Sequence, residues 1–139
     1  MSKKNNSYLN YLENLTPDTL HNLDKYVSKT VRFKDPFHDV SGIFEMRKIF
    51  EKMFEKFTEV RFIIKESATK SNVTLVHWHI HLETINIRIA FDGASVITYD
   101  SCGKVSKHLD YWDAAENVYG NLPVIGRLFT FLRKRLIPQ

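Results

Sequence analysis

Val76-His77-Trp78-His79-Ile80-His81-Leu82 alternates apolar and imidazole side chains over seven positions, and this two-residue period decides the fold class. Successive side chains of an extended strand point to opposite faces. Val76, Trp78, Ile80 and Leu82 therefore share one face, and the three histidines share the other. Such a pattern fits a strand with one dry face and one wet face. Moving outward, Val60, Phe62 and Ile64 alternate with Arg61 and Lys65, and Ile87, Ile89 and Phe91 alternate with Arg88. Asp92-Gly93 reads as a hairpin turn. A strand near Ser95 to Tyr99, a turn at Asp100–Gly103 and a last strand from Val105 to Trp112 are expected to follow. Sequential strands with short turns favour an antiparallel meander.

Upstream of this block the period changes to that of a helix. Tyr8, Leu9, Tyr11, Leu12 and Leu15 give a short helix an apolar side. Thr16-Pro17-Asp18 is a helix start, with Thr16 as cap, Pro17 in the first turn and Asp18 at the positive end of the dipole. That helix carries Leu20, Leu23 and Val27 inward. Val31 and Phe33 flank a short extended piece, and Asp35-Pro36 forces non-helical backbone at the aspartate. Gly42 is placed to cap the next helix, with Glu45 reaching back. From Ile43 to Phe57 the apolar residues fall on one side and Glu45, Lys48, Glu51, Lys52 and Glu55 on the other.

Downstream of Asp113, which is placed to cap it, a short helical stretch from Ala114 to Tyr119 precedes Gly120. Pro123 opens a final amphipathic helix that ends before Pro138. Val124, Ile125, Leu128, Phe129, Leu132 and Leu136 form its apolar arc, opposite Arg127, Thr130, Arg133 and Lys134. This helix is expected to pack on the sheet, the cone or a second subunit, and contact with a membrane is not expected.

The chain's 139 residues suit a single domain, 1–139, with a core at about 8–113 and a helical extension at 114–137. Cys102 is the only cysteine, which rules out an intrachain disulfide and points to a reducing compartment. The polar start, Met-Ser-Lys-Lys-Asn-Asn, lacks the apolar stretch of a signal peptide. No apolar run approaches the ~20 residues that span a bilayer. A cytoplasmic location is expected. The net charge of +4 is modest and the basic residues form no stripe interleaved with aromatics, so nucleic acid is not an expected partner.

The order of elements resembles the SnoaL-like families of the nuclear-transport-factor-2-like, cystatin-like superfamily. The resemblance rests on Asp35-Pro36 ahead of a Gly-led amphipathic helix, and on Asp110-Tyr-Trp-Asp113 closing the last long strand. It implies an α+β fold, with N-terminal helices packed on a curved antiparallel sheet that forms a cone with an internal pocket. It also implies a small apolar molecule as ligand and a homodimer as the assembly. Within the superfamily, ketosteroid isomerases, polyketide cyclases, epoxide hydrolases and dehydratases stand beside non-catalytic binding and dimerisation modules. The site must therefore be argued from residues.

In ketosteroid isomerases a carboxylate in an Asp-Pro motif moves a proton at carbon, and a phenol on the first helix stabilises the oxyanion. The resemblance places Asp35 and Tyr11 in those roles. Where the isomerases carry a protonated aspartate it places Ser95, beside Ala94, so a true ketosteroid isomerase is not expected. Taken alone, Asp35 reads equally as a turn cap before Pro36 and Tyr11 as a half-buried helix aromatic. His108, Asp110 and Trp112 share one face of the last strand, which offers His108 and Asp110 as an acid/base pair; Leu109 and Tyr111 offer the other face as inward. Phe33, Phe37, Phe54, Trp78 and Trp112 are expected as apolar walls, with His38 at the pocket mouth. His77, His79 and His81 share a strand face, and two of them suit one ion with a third ligand from a neighbour. All three spread over about 13 Å at ~3.3 Å per residue, too far for one ion, and neither a metal nor a cofactor is expected.

Overall fold

Every period-two segment forms a strand, and the strands join into one six-stranded sheet. The computed structural model describes residues 3–117 and 123–136. Along the chain come α1 (Lys3–Glu13), a 3₁₀ helix (Pro17–Lys25), β1 (Val27–Lys34), β2 (Asp39–Ser41) and α2 (Ile43–Lys56). Then follow β3 (Glu59–Lys70), β4 (Val73–Glu83), β5 (Arg88–Tyr99), β6 (Val105–Tyr111), α3 (Ala114–Asn117) and α4 (Pro123–Leu136). The expected meander holds from β3 to β6. It is completed by β1, which pairs with β6 in parallel and with the short β2 antiparallel.

The alternation sets which face is dry. Val76, Trp78, Phe91, Ile97, Tyr99 and His108 are buried on the inner face, where Tyr8, Leu12, Leu23 and Met46 come down on them from the helices. A bulge in β3 between Ile64 and Glu66 bends the edge of the sheet. There the Glu13 carboxylate accepts the Ile64 N–H at 2.8 Å and ties the end of α1 to β3.

Four local readings change. Val27, read as an inward residue of the helix after Thr16, is the first residue of β1. The helix after Thr16 is a 3₁₀ helix, whose start is closed by the Thr16 N–H donating to Thr19 Oγ1 at 2.9 Å. Gly42 caps α2 through its backbone at φ 101°, donating to Val31 O at 2.8 Å, while Glu45 turns to Lys48 instead of reaching back. Asp92-Gly93 is no turn. β5 runs through it, and the reversal lies at Thr84–Ile87, where the Thr84 N–H donates to Ile87 O at 2.8 Å. Gly93 pairs with Trp78, and a Cβ there would sit 2.3 Å from the indole, so the ring occupies the space a side chain would take.

The turn at Asp100 forms as expected, its Oδ1 accepting from Cys102 and Lys104 N–H at 2.9 Å. Asp113 caps α3 by accepting the Glu116 N–H at 2.9 Å. Continuation of α3 to Tyr119, the Gly120 break and the stop before Pro138 lie outside the described residues. No helix is long and apolar enough to cross a membrane among the described residues. The exposed α4 makes at most marginal contact with the other described elements.

Candidate functional site

β4, β5 and β6 place Trp78, Ser95, Asp110 and His108 side by side on the inner face. The register sets Val76 against Ser95, Ser95 against Asp110 and Ile97 against His108. These four groups and Tyr8 of α1 form one hydrogen-bonded chain. Trp78 Nε1–H donates to Ser95 Oγ at 2.7 Å, and Ser95 donates in turn to Asp110 Oδ1. The same Oδ1 lies 2.7 Å from His108 Nε2, and His108 Nδ1 lies 2.7 Å from the Tyr8 hydroxyl.

Burial, and after it the charge of Asp110, pushes the Tyr8 phenol well above its ordinary 10.0, so the hydroxyl stays protonated. Each ring nitrogen of His108 has one partner, the Tyr8 hydroxyl at Nδ1 and the Asp110 carboxyl at Nε2. His108 is further held between Phe33, at 5.2 Å, and the edge of Tyr8, at 5.8 Å. The wet end of the chain is Asp110, whose side chain is 18% exposed against 4% for His108. Asp110 Oδ2 has no hydrogen-bond partner among the described residues.

Beside this chain runs an aromatic wall. Phe62 contacts Trp78 at 5.4 Å, Trp78 contacts Phe91 at 6.1 Å, Phe91 contacts Trp112 at 4.9 Å, and Trp112 contacts Phe37 at 5.2 Å. α1 crosses the sheet from Tyr8 over β6 to Glu13 on β3, above the row that holds Trp78 and Asp110. Phe62, Ile80, Ile89 and Trp112 lie on the Thr84–Ile87 side of that crossing and are only half-buried.

The sequence-derived candidates separate. Inward orientation of His108 and Asp110 resolves the two faces of β6, with Tyr111 turned out and exposed. Trp78, Trp112 and Phe33 lie on the inner side, and Phe37 packs on Trp112 from an exposed position. Tyr11 and Asp35, expected on one wall, are not brought together. Tyr11 stacks on Tyr26 at 4.3 Å and donates to Thr19 O at 2.9 Å, and its burial pushes the phenol up to about 12. Asp35 holds the β1–β2 turn, its Oδ1 accepting the Phe37 and His38 N–H groups at 2.8 Å and lying 2.9 Å from His38 Nδ1. The physical reason is local: an aspartate before proline finds its nearest donors two and three residues on. Asp35 does line a cleft of about 500 Å³ that wraps the end of β6 and also touches Asp110 and Trp112. Phe54 belongs elsewhere, in a cleft of about 380 Å³ between the 3₁₀ helix and α2.

Tyr8, Ser95, Phe62 and Phe91 join the candidate site although sequence reasoning did not choose them for it. For Ser95 the signal was present, since the resemblance placed it where isomerases keep an aspartate. Nothing marks Tyr8 among the apolar residues of α1. On the outer face, Asp92 Oδ1 lies 2.6 Å from His79 and Oδ2 3.3 Å from His77. Ligand-type atoms of Glu59, His81 and Glu83 lie within 4.8 Å of one another. Both of these carboxylates already face arginines, Glu83 to Arg88 at 3.0 Å and Glu59 to Arg61 at 3.9 Å.

Helices on the inner face of a curved, unclosed sheet whose first strand returns beside its last define a nuclear-transport-factor-2-like cone. Residues 8–108 match the SnoaL-like domain, and the chain belongs to that family. Similar solved structures include an NTF2-like protein of unknown function from Burkholderia pseudomallei, at 15% identity and TM-score 0.73, covering 84% of this chain and 95% of that one. An LEH-like epoxide hydrolase of M. tuberculosis is similar at 16% identity and TM-score 0.65, covering 94% of this chain and 90% of that one. An NTF2-like protein of unknown function from Exiguobacterium sp. 255-15 is similar at 11% identity and TM-score 0.68, covering 80% and 98%. At these identities the likeness shows the fold alone. No curated protein matches the chain by sequence.

Proposed function

We propose that this chain binds a small apolar molecule against the Phe62–Trp112 wall and acts on it by proton transfer at Asp110, in an isomerase-, cyclase- or hydrolase-type reaction. The observation that carries this reading is the buried chain ending at Asp110. Tyr8 and His108 fix one oxygen from one side, Trp78 and Ser95 fix it from the other, and Oδ2 is left over at the wetter end. A carboxylate fixed in this way takes or gives a proton without first reorganising, and positioned acid–base groups contribute on the order of 10²–10⁴-fold. Trp78 and Ser95 are positioning residues, because they act through Asp110. Related names such as epoxide hydrolase support this class of chemistry without selecting a substrate.

The test compares wild type with Asp110→Asn over a library of apolar ketones, lactones and epoxides, reading binding and turnover separately. The expected result is a turnover loss of roughly 100-fold or more with affinity changed only a few-fold. Asp35→Asn should leave turnover nearly intact. Equal turnover in wild type and Asp110→Asn would remove the proton-transfer reading. Ligand affinity with no turnover in either protein would leave a binding module, in which the same polar chain only orders the core.

A further inference from the structure

We propose that α4 is a surface anchor for a bilayer that carries anionic lipid. The argument begins with charge. The chain has 20 Lys and Arg against 16 Asp and Glu; Arg127, Arg133, Lys134 and Arg135 of α4 are four of the former, and the helix holds none of the latter. The other residues are therefore balanced, and the whole net charge of +4 sits on these 14 residues. Among the described residues no carboxylate forms an ion pair with any of the four cations.

Hydrophobic pattern gives the second half. Leu128, Phe131, Leu132 and Leu136 recur at helical spacing along one side and are 41–79% exposed, so the side expected to pack on the sheet or cone is uncovered in this chain. Arg135 falls on the same side and lies over the Phe131 ring at 5.8 Å, and its long stem is the kind that runs along apolar surface while the guanidinium reaches the headgroups. A 14-residue helix is roughly 21 Å long at 1.5 Å per residue, too short to span a bilayer. It has the build of a helix lying in the interface, with leucines and phenylalanine in the acyl region and arginines among the headgroups. Charge selects this occupant over the others. A nucleic acid backbone would satisfy the arginines and leave the leucines in water. On the outer sheet face of a second copy the carboxylates are already engaged, Glu59 and Glu83 by Arg61 and Arg88, and Asp92 by His77 and His79.

Flotation of the full chain with vesicles tests the assignment. Vesicles of phosphatidylcholine and phosphatidylglycerol at three to one should carry the protein upward, and pure phosphatidylcholine or 0.5 M salt should lower the bound fraction on the order of tenfold. Phe131→Glu with Leu132→Glu should abolish flotation, and Arg133→Gln with Arg135→Gln should weaken it on anionic vesicles alone. Because these side chains are exposed, the thermal melt of each variant should match wild type, which separates loss of docking from loss of fold. Wild type that stays at the bottom with anionic vesicles overturns the proposal. So does flotation that survives the glutamates, or glutamates that turn a dimer into a monomer in sedimentation, since the covered partner is then a second copy.

Discussion

The two faces of the sheet formed by β4, β5 and β6 carry the same kinds of groups in opposite settings. Outside, His77 and His79 reach Asp92 in open solvent, and Arg88 reaches Glu83. Inside, His108 reaches Asp110 with Ser95, Trp78 and Tyr8 completing the set. Distances do not separate the two, since the outer His79–Asp92 contact is 2.6 Å and the inner His108–Asp110 contact is 2.7 Å. Burial separates them. An exposed ion pair exchanges one set of water contacts for another and is worth little. A buried polar group that loses its partner has no water to replace it.

The widest gap between the faces should appear at His108. Replacing it with Ala leaves both the Tyr8 hydroxyl and Asp110 short of a partner, and should destabilise the fold by about 2–5 kcal/mol in urea melts. Gly93→Ala strikes the same face without removing a polar group. Its Cβ would meet the Trp78 indole at 2.3 Å, so the ring must move and release Ser95, at a cost of about 1–3 kcal/mol. Indole fluorescence should shift with it, and turnover should fall with the loss of Asp110 positioning. Tyr8→Phe keeps the ring and removes the partner of His108 Nδ1, for about 1–2 kcal/mol. A loss at Tyr8 as large as at His108 would mean that the chain behaves as one unit.

On the outer face, Asp92→Asn should lower the melting temperature at neutral pH only slightly, because an exposed pair is worth little. That small difference should disappear in acid. The hydrogen bond from His79, and then that from His77, holds the Asp92 carboxylate below its ordinary 3.8. A folded-state value below the unfolded one gives a contribution that is present above pH 4 or so and is lost as pH falls through the depressed value. Melts of wild type and Asp92→Asn should therefore differ slightly above about pH 4 and converge below it. A difference that closes near neutrality would show that the outer histidines, and not the carboxylate, control the pair.

The same contrast explains what the sequence could reveal. Alternation in β3 to β6 and the stripe of α2 follow from burial on one side, so they stood out. Gly93 misled because Asp-Gly is a turn signal only when no large ring needs the glycine, and Trp78 is 15 positions away in the chain. Likewise, His108 and Asp110 announced a shared face but not its direction, which depends on β1 returning beside β6. Tyr11 and Asp35 each found a local partner, at Thr19 and at His38, before any distant one. Ser95 gave only a position in a family pattern. The hydroxyl of Tyr8 looked like any other aromatic in the apolar stripe.

Tyr8 and His108 stand 100 positions apart, and the parallel partner of β1 is β6. A ribosome must therefore emit nearly the whole chain before the polar row can close, and until then Tyr8 and Trp78 lack the neighbours that satisfy them. Nascent α1 and α2 must wait with their apolar sides unclaimed, a delay characteristic of folds dominated by distant pairings. Any fragment that stops short of β6 should collapse without acquiring the polar row.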